Sequence, residues 1–332
     1  MATSGTVGAT VVDVTYIIEH AFRRASVAAS KITGEQQLSA RDNLFLLLID
    51  LANDGVNLWC IAKQLLALVV GQATYPLTAG VADLLRAFSR TMLFPVGTAI
   101  STTTTVGLNT GGGNAAAVCT VGVTLNTSVA AQNLVVEYSA DGASWTTLYT
   151  IPVFTGVAGT LYWFDLPVIL AAQAWRVRET VAGTIGVSAA QFGTTPSDLL
   201  MGRLNRDDYW NLPNKAFPGR PLQYWYDKQI IPQIWVWGVP NAATQLIVCE
   251  VHQHVQDIGA FTNQVAVPLR WLNYTIWELS FYCAHSRPKE EVDDKAIERC
   301  ERRALLAKSK AEQGESDGSR ISLMPNIRPY TR

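Results

Sequence analysis

Residues 119–150 read CTVGVTLNTSVAAQNLVVEYSADGASWTTLYT, and apolar side chains alternate with polar ones along much of this stretch. Val121 and Val123 fall on one side of an extended chain, while Thr120 and Thr124 fall on the other. A period of two is the pattern of a β-strand with one buried face. An Asp-Gly pair inside the stretch is typical of the tight turn of a β-hairpin. The stretch therefore predicts antiparallel β-structure.

The composition around this stretch changes in blocks. Residues 91–196 contain only six charged side chains and no lysine, whereas residues 287–332 carry twenty charged side chains in forty-six positions. An ordinary protein surface intersperses charge for solubility, so one continuous core seldom produces such blocks. The period-two pattern continues over residues 111–192. We therefore predict a small antiparallel β-sandwich that is inserted at residues 96–196.

Apolar residues recur at helical spacing near the N-terminus. Residues 14–25 predict an amphipathic helix, and Ser39 is placed to cap a second helix that Gly55 ends. Residues 58–70 repeat the pattern and predict a third helix. Three helices joined by short loops favour a helical bundle. The motif GQATYPL, which starts at Gly71, then predicts a short extended stretch followed by a brief amphipathic element.

The second half of the chain combines strand and helix patterns. Residues 230–237 and 246–255 have strand patterns on either side of a turn-like Gly-Val-Pro-Asn, so they predict a β-hairpin. Pro268 is placed to open a helix that is apolar over most of its circumference. Residues 288–313 form a strongly charged helical pattern with a thin apolar stripe. We expect that a partner has to bury this stripe.

These patterns together predict the α+β class. The expected architecture is a helical bundle core with a small β-hairpin or sheet, an inserted antiparallel β-sandwich, and a C-terminal helix with an extended tail. The expected divisions are residues 1–95 for the N-terminal helical part, 96–196 for the inserted sandwich, 197–287 for the sheet and helix that complete the core, and 288–332 for the C-terminal helix and tail.

Catalytic motifs are missing from the sequence. The chain has no GxSxG, HExxH or CxxC motif and no phosphate loop between a strand and a helix. Glu250, His252 and His254 alternate as the ligands of some strand-borne zinc sites do, but no further ligand lies nearby in the sequence. A solvated strand face is the simpler interpretation. We expect no enzyme activity, no cofactor and no metal.

Ten tryptophans give the chain many large aromatic side chains. Tryptophans serve by default as anchors of cores and interfaces. Trp145 and Trp163 lie within the predicted sandwich, where an aromatic ring can also stack on a sugar. They are the candidate ligand-binding residues of the insertion.

The order of several motifs resembles the head-to-tail adaptor, or connector, proteins of short-tailed bacteriophages. These motifs are a helical N-terminal region, GQATYPL with a short following helix, GRPLQYWYDKQIIPQIWVWGVPNAATQLIVCEVHQH, then VPLRWLNYTIWELSFYCA and a charged helix with a tail. The resemblance implies a ring, typically of twelve copies, that joins the portal protein to the tail nozzle protein and lines the DNA exit channel. It implies passive contact with phage DNA, no membrane, and a place at the head-tail junction of a virion assembled in the host bacterial cytoplasm.

The resemblance also gives the tail a role. Because Pro325 and Pro329 forbid a regular helix, we expect the tail to bind extended. The residues expected to dock on the portal are Ile321, Leu323, Met324, Ile327 and Tyr330.

The insertion itself has a second resemblance. The segments VVEYSADGASWTTLYT and WRVRET resemble discoidin-like or immunoglobulin-like β-sandwich decorations, which often bind sugars or neighbouring proteins. The alternative function is therefore a lectin-like tail component that binds carbohydrate or protein through the sandwich.

Overall fold

The computed structural model describes residues 12–27, 31–53, 60–127, 133–154, 156–181, 186–242, 245–254, 259–265, 267–286 and 292–315. Within these ranges the chain forms five helices and fifteen strands. The helices are α1 (Val14–Arg24), α2 (Gly34–Asn53), α3 (Arg206–Trp210), α4 (Leu269–His285) and α5 (Asp294–Glu315). The strands are β1 (Ile61–Ala67), β2 (Thr74–Pro76), β3 (Val81–Leu93), β4 (Thr98–Ser101), β5 (Thr105–Asn109), β6 (Ala116–Leu125), β7 (Leu134–Ser139), β8 (Thr146–Thr150), β9 (Leu161–Ala172), β10 (Ala174–Glu179), β11 (Val187–Leu200), β12 (Gly202–Leu204), β13 (Gln223–Asp227), β14 (Gln233–Trp237) and β15 (Gln245–Gln253).

Backbone contacts divide the chain into two compact units. One unit combines both ends of the chain, Met1–Ile61 and Gln253–Arg332, and contains α1, α2, α4 and α5. The other unit, Ala62–His252, contains the sheets and α3. The boundaries predicted after residues 95, 196 and 287 stay predictions.

Local signals set the ends of the first two helices. The Asp13 carboxylate accepts a hydrogen bond from the Tyr16 backbone N–H at 2.8 Å and so caps α1. The second helix begins before Ser39, the residue that was predicted to cap it. The Thr33 hydroxyl accepts from the Gln36 N–H at 3.4 Å, and the Gln36 side chain accepts from the Thr33 N–H at 3.0 Å. This reciprocal pair is a capping box, and α2 therefore starts at Gly34.

The two C-terminal helices pack on each other. Helix α4 follows Pro268, as predicted, and buries Trp271 and Leu279. Ala307 and Ala311 of α5 pack with Trp271 and Tyr274 of α4. Within the predicted apolar stripe, Val292, Cys300 and Ala304 are buried by the chain itself, whereas Leu305 is 63% exposed. The expectation that a partner must bury the stripe is therefore wrong for those three residues.

Two segments predicted as helices are strands. Residues 61–67 form β1, and residues 81–93 form β3. In β1, Leu66 belongs to one apolar cluster, while Leu65 and Ala67 belong to another. A strand with apolar residues on both faces lacks a clear alternation, and periodicity alone cannot tell it from a helix. The helical bundle predicted for this part of the chain therefore ends at α2.

Three sheets fill the strand-rich unit. A six-stranded sheet has the order β1-β15-β3-β11-β6-β9, a five-stranded sheet has the order β4-β5-β10-β7-β8, and a four-stranded sheet has the order β12-β13-β14-β2. The predicted hairpin of residues 230–237 and 246–255 is wrong, because β14 and β15 lie in different sheets. Ile234 and Val236 pack against Ile247 and Cys249, so these strands meet face to face rather than edge to edge.

The predicted β-sandwich has a continuous apolar core. Inward-facing residues of the five-stranded sheet pack against β6, β9 and β11 of the six-stranded sheet. The fully buried members include Val121, Val123, Leu134, Val136, Trp175 and Val177. The α+β class is confirmed, and the strands agree with an inserted sandwich.

Strand β11 joins the sandwich to the rest of its unit. Its first half, up to Thr194, pairs with β6, and its second half, up to Leu200, pairs with β3. The register shifts between Thr194 and Ser197, where Thr195 has a positive φ of 49°. The sandwich therefore shares a hydrogen-bonded sheet with β1, β3 and β15.

Candidate functional site

The outer face of the five-stranded sheet carries a network of charged residues. Glu137 of β7 is only 3% exposed. Its carboxylate accepts hydrogen bonds from Arg176 Nε at 2.7 Å and from Arg178 Nη2 at 2.7 Å, both on the neighbouring strand β10. Arg178 Nε also donates, at 2.9 Å, and the Thr147 hydroxyl of β8 adds a fourth donor at 3.3 Å. We call this surface the Trp145 face and define it by Glu137, Trp145, Thr147, Arg176 and Arg178.

Trp145 lies at one side of this network, immediately before β8. The guanidinium carbon of Arg176 lies 4.1 Å from the centroid of the Trp145 ring. Such stacking attracts a cation to the negative face of the ring. Arg176 donates a hydrogen bond to Glu137 through Nε. Its two terminal nitrogens have no acceptor among the residues that the structure describes. The face thus combines a half-buried aromatic ring with unused N–H donors.

The loop before Trp145 is held by Asp141. The backbone N–H groups of Ser144 and Ala143 donate to Asp141 Oδ1 at 2.8 and 2.9 Å, and the Ser139 hydroxyl donates at 2.8 Å. These hydrogen bonds lower the pKa of Asp141, so its carboxylate stays charged at neutral pH. Gly142 has a φ of 77°, as the predicted Asp-Gly turn requires. The loop therefore gives Trp145 a fixed position.

The charge of Glu137 is also fixed by its surroundings. Burial by itself would raise the pKa of this carboxyl, because a carboxylate loses hydration when it is buried. Hydrogen bonds from Arg178 and Arg176 favour the charged form and outweigh the burial, so the pKa lies below its ordinary value. At neutral pH the ionised Glu137 holds both guanidinium groups.

Trp163 lies on a different sheet from Trp145. It belongs to β9, is 5% exposed, and packs in a cluster with Met92, Leu246 and Val248. The structure therefore does not bring the two candidate tryptophans together. Trp163 instead lines a cleft of about 830 Å³ between β1 and β9, which Tyr149 and Tyr162 also line.

The other candidate residues are placed as follows. Glu250 lies 3.8 Å from Arg86, His252 is buried, and His254 is exposed. In the described part of the chain, no three His, Cys, Asp or Glu side chains are grouped so that they could hold a metal ion. No helix among the described residues has both the length and the apolar character needed to cross a membrane. The portal-docking residues Ile321, Leu323, Met324, Ile327 and Tyr330 lie outside the described residues.

Glu137, Arg176 and Arg178 were not predicted from the sequence as site residues. Their signal is visible in retrospect, because they make up half of the six charged side chains in residues 91–196. Charges that are rare and alternate along a strand, as in WRVRET, point to one polar sheet face.

Comparisons with known proteins give limited similarity. No protein-family model matches the sequence, and no curated protein matches it. Among solved structures, the CBM62 module of Clostridium thermocellum Xyl5A is 19% identical with a TM-score of 0.26, covering 29% of this chain and 72% of that module. The CBM32-1 module from a family 31 glycoside hydrolase of Clostridium perfringens is 9% identical with a TM-score of 0.23, covering 38% and 96%. The family 32 CBM of C. perfringens NanJ, solved with galactose, is 8% identical with a TM-score of 0.22, covering 40% and 93%. Similarities this low carry no argument about function.

Proposed function

We propose that the protein is a carbohydrate-binding protein whose β-sandwich binds an oligosaccharide on the Trp145 face. The observation that carries the proposal is the stacked pair of Trp145 and Arg176. An aromatic ring offers its face to the C–H groups of a sugar, and a guanidinium offers N–H donors to hydroxyl or carboxylate oxygens. The Arg176 guanidinium lies over the Trp145 ring, so both groups are available at one place on the sheet face.

Preorganisation supports the same proposal. The buried Glu137 fixes Arg176, Arg176 stacks on Trp145, and the Asp141 loop fixes the chain that leads to Trp145. A side chain that is already ordered loses less conformational entropy when a ligand binds. The face therefore has the rigid polar and aromatic groups that recognition of a hydroxyl-rich ligand requires.

A glycan array probed with the full chain tests the proposal. We expect binding to at least one class of oligosaccharide, which titration calorimetry then quantifies. Trp145→Ala should weaken that binding by about tenfold or more, which corresponds to about 1.4 kcal/mol. Trp210→Ala is the matched control, because Trp210 is an exposed tryptophan on α3, outside the sandwich. Absence of any glycan ligand, or an equal loss in both variants, would contradict the proposal.

The second candidate function is the ring-shaped head-to-tail adaptor that joins a portal to a tail nozzle. Its support is an exposed apolar pair at the turn between β13 and β14, where Ile230 is 99% exposed and Ile231 is 58% exposed. Adjacent aliphatic side chains in water favour burial against a partner. A subunit of an assembly provides such a partner, and the predicted role of the tail in portal docking belongs to this candidate.

Electron microscopy of the purified chain, alone and with portal rings, tests the adaptor proposal. We expect closed rings, and we expect the double change Ile230→Asp with Ile231→Asp to reduce their number strongly. Val96→Asp is the control, because Val96 is also an exposed aliphatic residue but lies outside the Ile230–Ile231 pair. Monomers under all conditions, or rings that the double change leaves intact, would count against the adaptor.

A further inference from the structure

The positive charges of the inserted stretch are concentrated on the Trp145 face. Arg176 and Arg178 are the only arginine or lysine residues in residues 91–196, against four aspartate and glutamate residues. Both arginines lie on β10 and alternate with buried residues of the apolar core, so they point to the same outer face. They share the single carboxylate of Glu137 on the neighbouring strand β7. The face therefore keeps one positive charge in excess.

The other three acidic side chains of this stretch leave that excess in place. Asp165 lies on β9 of the other sheet, where it pairs with Arg90. Glu179 follows Arg178 directly and so points to the opposite face of β10. Asp141 accepts three hydrogen bonds within its own loop, at 2.8 to 2.9 Å. Within the described ranges, none of these three carboxylates lies at ion-pair distance from either arginine of β10.

The unused donors of Arg176 form a pair. Arg176 donates from Nε to Glu137 Oε2, whereas Arg178 donates from both Nε and Nη2 to Oε1. Arg176 is thus bound from its side and keeps its end, with the two terminal nitrogens Nη1 and Nη2, without an acceptor in the described part of the chain. Neither nitrogen belongs to the fully enclosed polar atoms that lack a partner there, so both can be reached from outside.

A carboxylate fits this end of the guanidinium better than a hydroxyl does. The two oxygens of a carboxylate accept two parallel N–H groups of one guanidinium, and such charge-assisted hydrogen bonds are about twice as strong as neutral ones. The Arg176 side chain is only 21% exposed, so its charge has lost part of its hydration. An anionic acceptor compensates that loss, while a sugar hydroxyl supplies an acceptor without the charge.

We infer that the Trp145 face selects an oligosaccharide that carries a carboxylate, such as one built from uronic acids. The inference rests on the proposed function, because it names the sugar class for the same site. The carboxylate accepts hydrogen bonds from Nη1 and Nη2 of Arg176, and the sugar C–H groups contact Trp145. Arg178 compensates the charge of Glu137, which would otherwise repel an anionic ligand.

Matched pairs of oligosaccharides on an array test the inference with the full chain. The carboxylated probes are oligogalacturonate, oligoglucuronate, oligomannuronate and sialyl-lactose. Each uronate is printed beside its carboxyl-reduced form, and sialyl-lactose is printed beside lactose. We expect at least one carboxylated probe to bind about tenfold or more tightly than its neutral counterpart, and titration calorimetry measures the ratio of the two affinities.

The outcomes separate this inference from the proposed function. A neutral oligosaccharide that binds as tightly as its carboxylated counterpart, with a loss in Trp145→Ala, would overturn the inference and leave the proposed function standing. Absence of any glycan ligand would overturn both. A sulfated galactan oligosaccharide supplies negative charge without a planar carboxylate. If it bound as tightly as the carboxylated probes, the site would select charge in general, and the inference would be overturned.

Substitution of Arg176 tests whether this residue sets the selectivity. Arg176→Gln should bring the affinity ratio of the carboxylated to the neutral probe close to one. Arg176→Lys should leave a reduced preference for the carboxylate, because it keeps the charge but not the paired N–H groups. Arg86→Gln is the control, since Arg86 is an exposed arginine on β3, and it should keep the ratio. Circular dichroism checks the fold of each variant. An unchanged ratio in folded Arg176→Gln would overturn the inference, and the array result with the natural chain depends on no variant.

Discussion

The two sheets of the sandwich contain opposite ionic networks. On the six-stranded sheet, the buried cation Arg90 donates to Asp198 at 2.6 and 2.7 Å and to Asp165 at 2.9 Å. On the five-stranded sheet, the buried anion Glu137 accepts from Arg176 and Arg178. One network places a cation between two carboxylates, and the other places a carboxylate between two cations.

The networks differ in how completely their hydrogen bonds are used. All three nitrogens of Arg90 have acceptors, and Asp165 also binds Lys63 and Thr120. Arg176 keeps two nitrogens without an acceptor among the described residues and lies against Trp145. A saturated network holds strands together, whereas an unsaturated network beside an aromatic ring can receive a ligand. This difference is why we place the candidate site at Glu137 and not at Arg90.

The largest expected effect is on the saturated network. Arg90→Met should lower the free energy of unfolding by about 3 kcal/mol, because it removes a buried cation that two carboxylates share. This is the lower end of the range for a buried pair, since Asp198 is partly exposed and Asp165 keeps its ion pair with Lys63. Arg86→Met, on the same strand, is the control. Arg86 is largely exposed and lies 3.8 Å from Glu250, so its loss should cost about 1 kcal/mol or less. Urea denaturation measures both values, and equal losses would remove the distinction between the networks.

A smaller loss of stability is expected at the unsaturated network. Glu137→Gln should lower the free energy of unfolding by about 2 kcal/mol, because it replaces charge-assisted hydrogen bonds with neutral ones. It should also weaken glycan binding, since Arg176 loses its anchor. Glu179→Gln, at the end of the same sheet's β10, should change neither quantity much. A stable variant with normal glycan binding would show that Glu137 does not organise the face.

Acid should reduce the contribution of Glu137. The folded pKa of this carboxyl lies below its ordinary value of 4.5, so its stabilisation is complete above pH 4.5 and is lost as the pH falls through the folded pKa. Each unit of pKa difference corresponds to about 1.4 kcal/mol. The stability gap between the natural chain and Glu137→Gln should therefore narrow below pH 4.5. Thermal unfolding across this range measures the gap, Glu298→Gln on an exposed helix face serves as the reference, and a constant gap would contradict the prediction.

The smallest effect on stability is expected for Arg176→Lys. Lysine keeps the charge but not the planar guanidinium, so stacking on Trp145 and the spare donors are lost while the ion pair with Glu137 can persist. We expect a stability change of about 1 kcal/mol or less and a several-fold loss of glycan affinity. Arg178→Lys should keep the affinity, because Arg178 does not stack on Trp145. Equal glycan affinities for Arg176→Lys and Arg178→Lys would show that stacking on Trp145 does not contribute to binding.

Periodicity predicted the elements that are buried on one side. α1 was located by its apolar spacing and the turn at Asp141 by its Asp-Gly pair, because both signals are local. β1 and β3 were predicted as helical because each has apolar residues on both faces and so lacks a clear alternation. The separation of β14 from β15 was also missed, since a turn sequence does not specify which sheet the next strand joins.

The candidate site was only partly predictable. Trp145 was named from the sequence because a tryptophan in a low-charge β-region is conspicuous. Its partner Arg176 is thirty-one positions away and meets it only because β10 pairs with β7, which in turn pairs with β8. Trp163 was named for the same reason as Trp145, but it lies on the other sheet and is buried.

The sequence by itself determined the α+β class, the strand character of β6, β7 and β8 and several helices, because each depends on side chains a few positions apart. Only the tertiary structure decided that β11 continues from the sandwich into the sheet with β3, that Glu137 receives two guanidinium groups, and that β1 approaches β9. These features depend on strand order and sheet curvature. Both arise from the burial of apolar faces that are far apart in the chain, and no local period records which faces will meet.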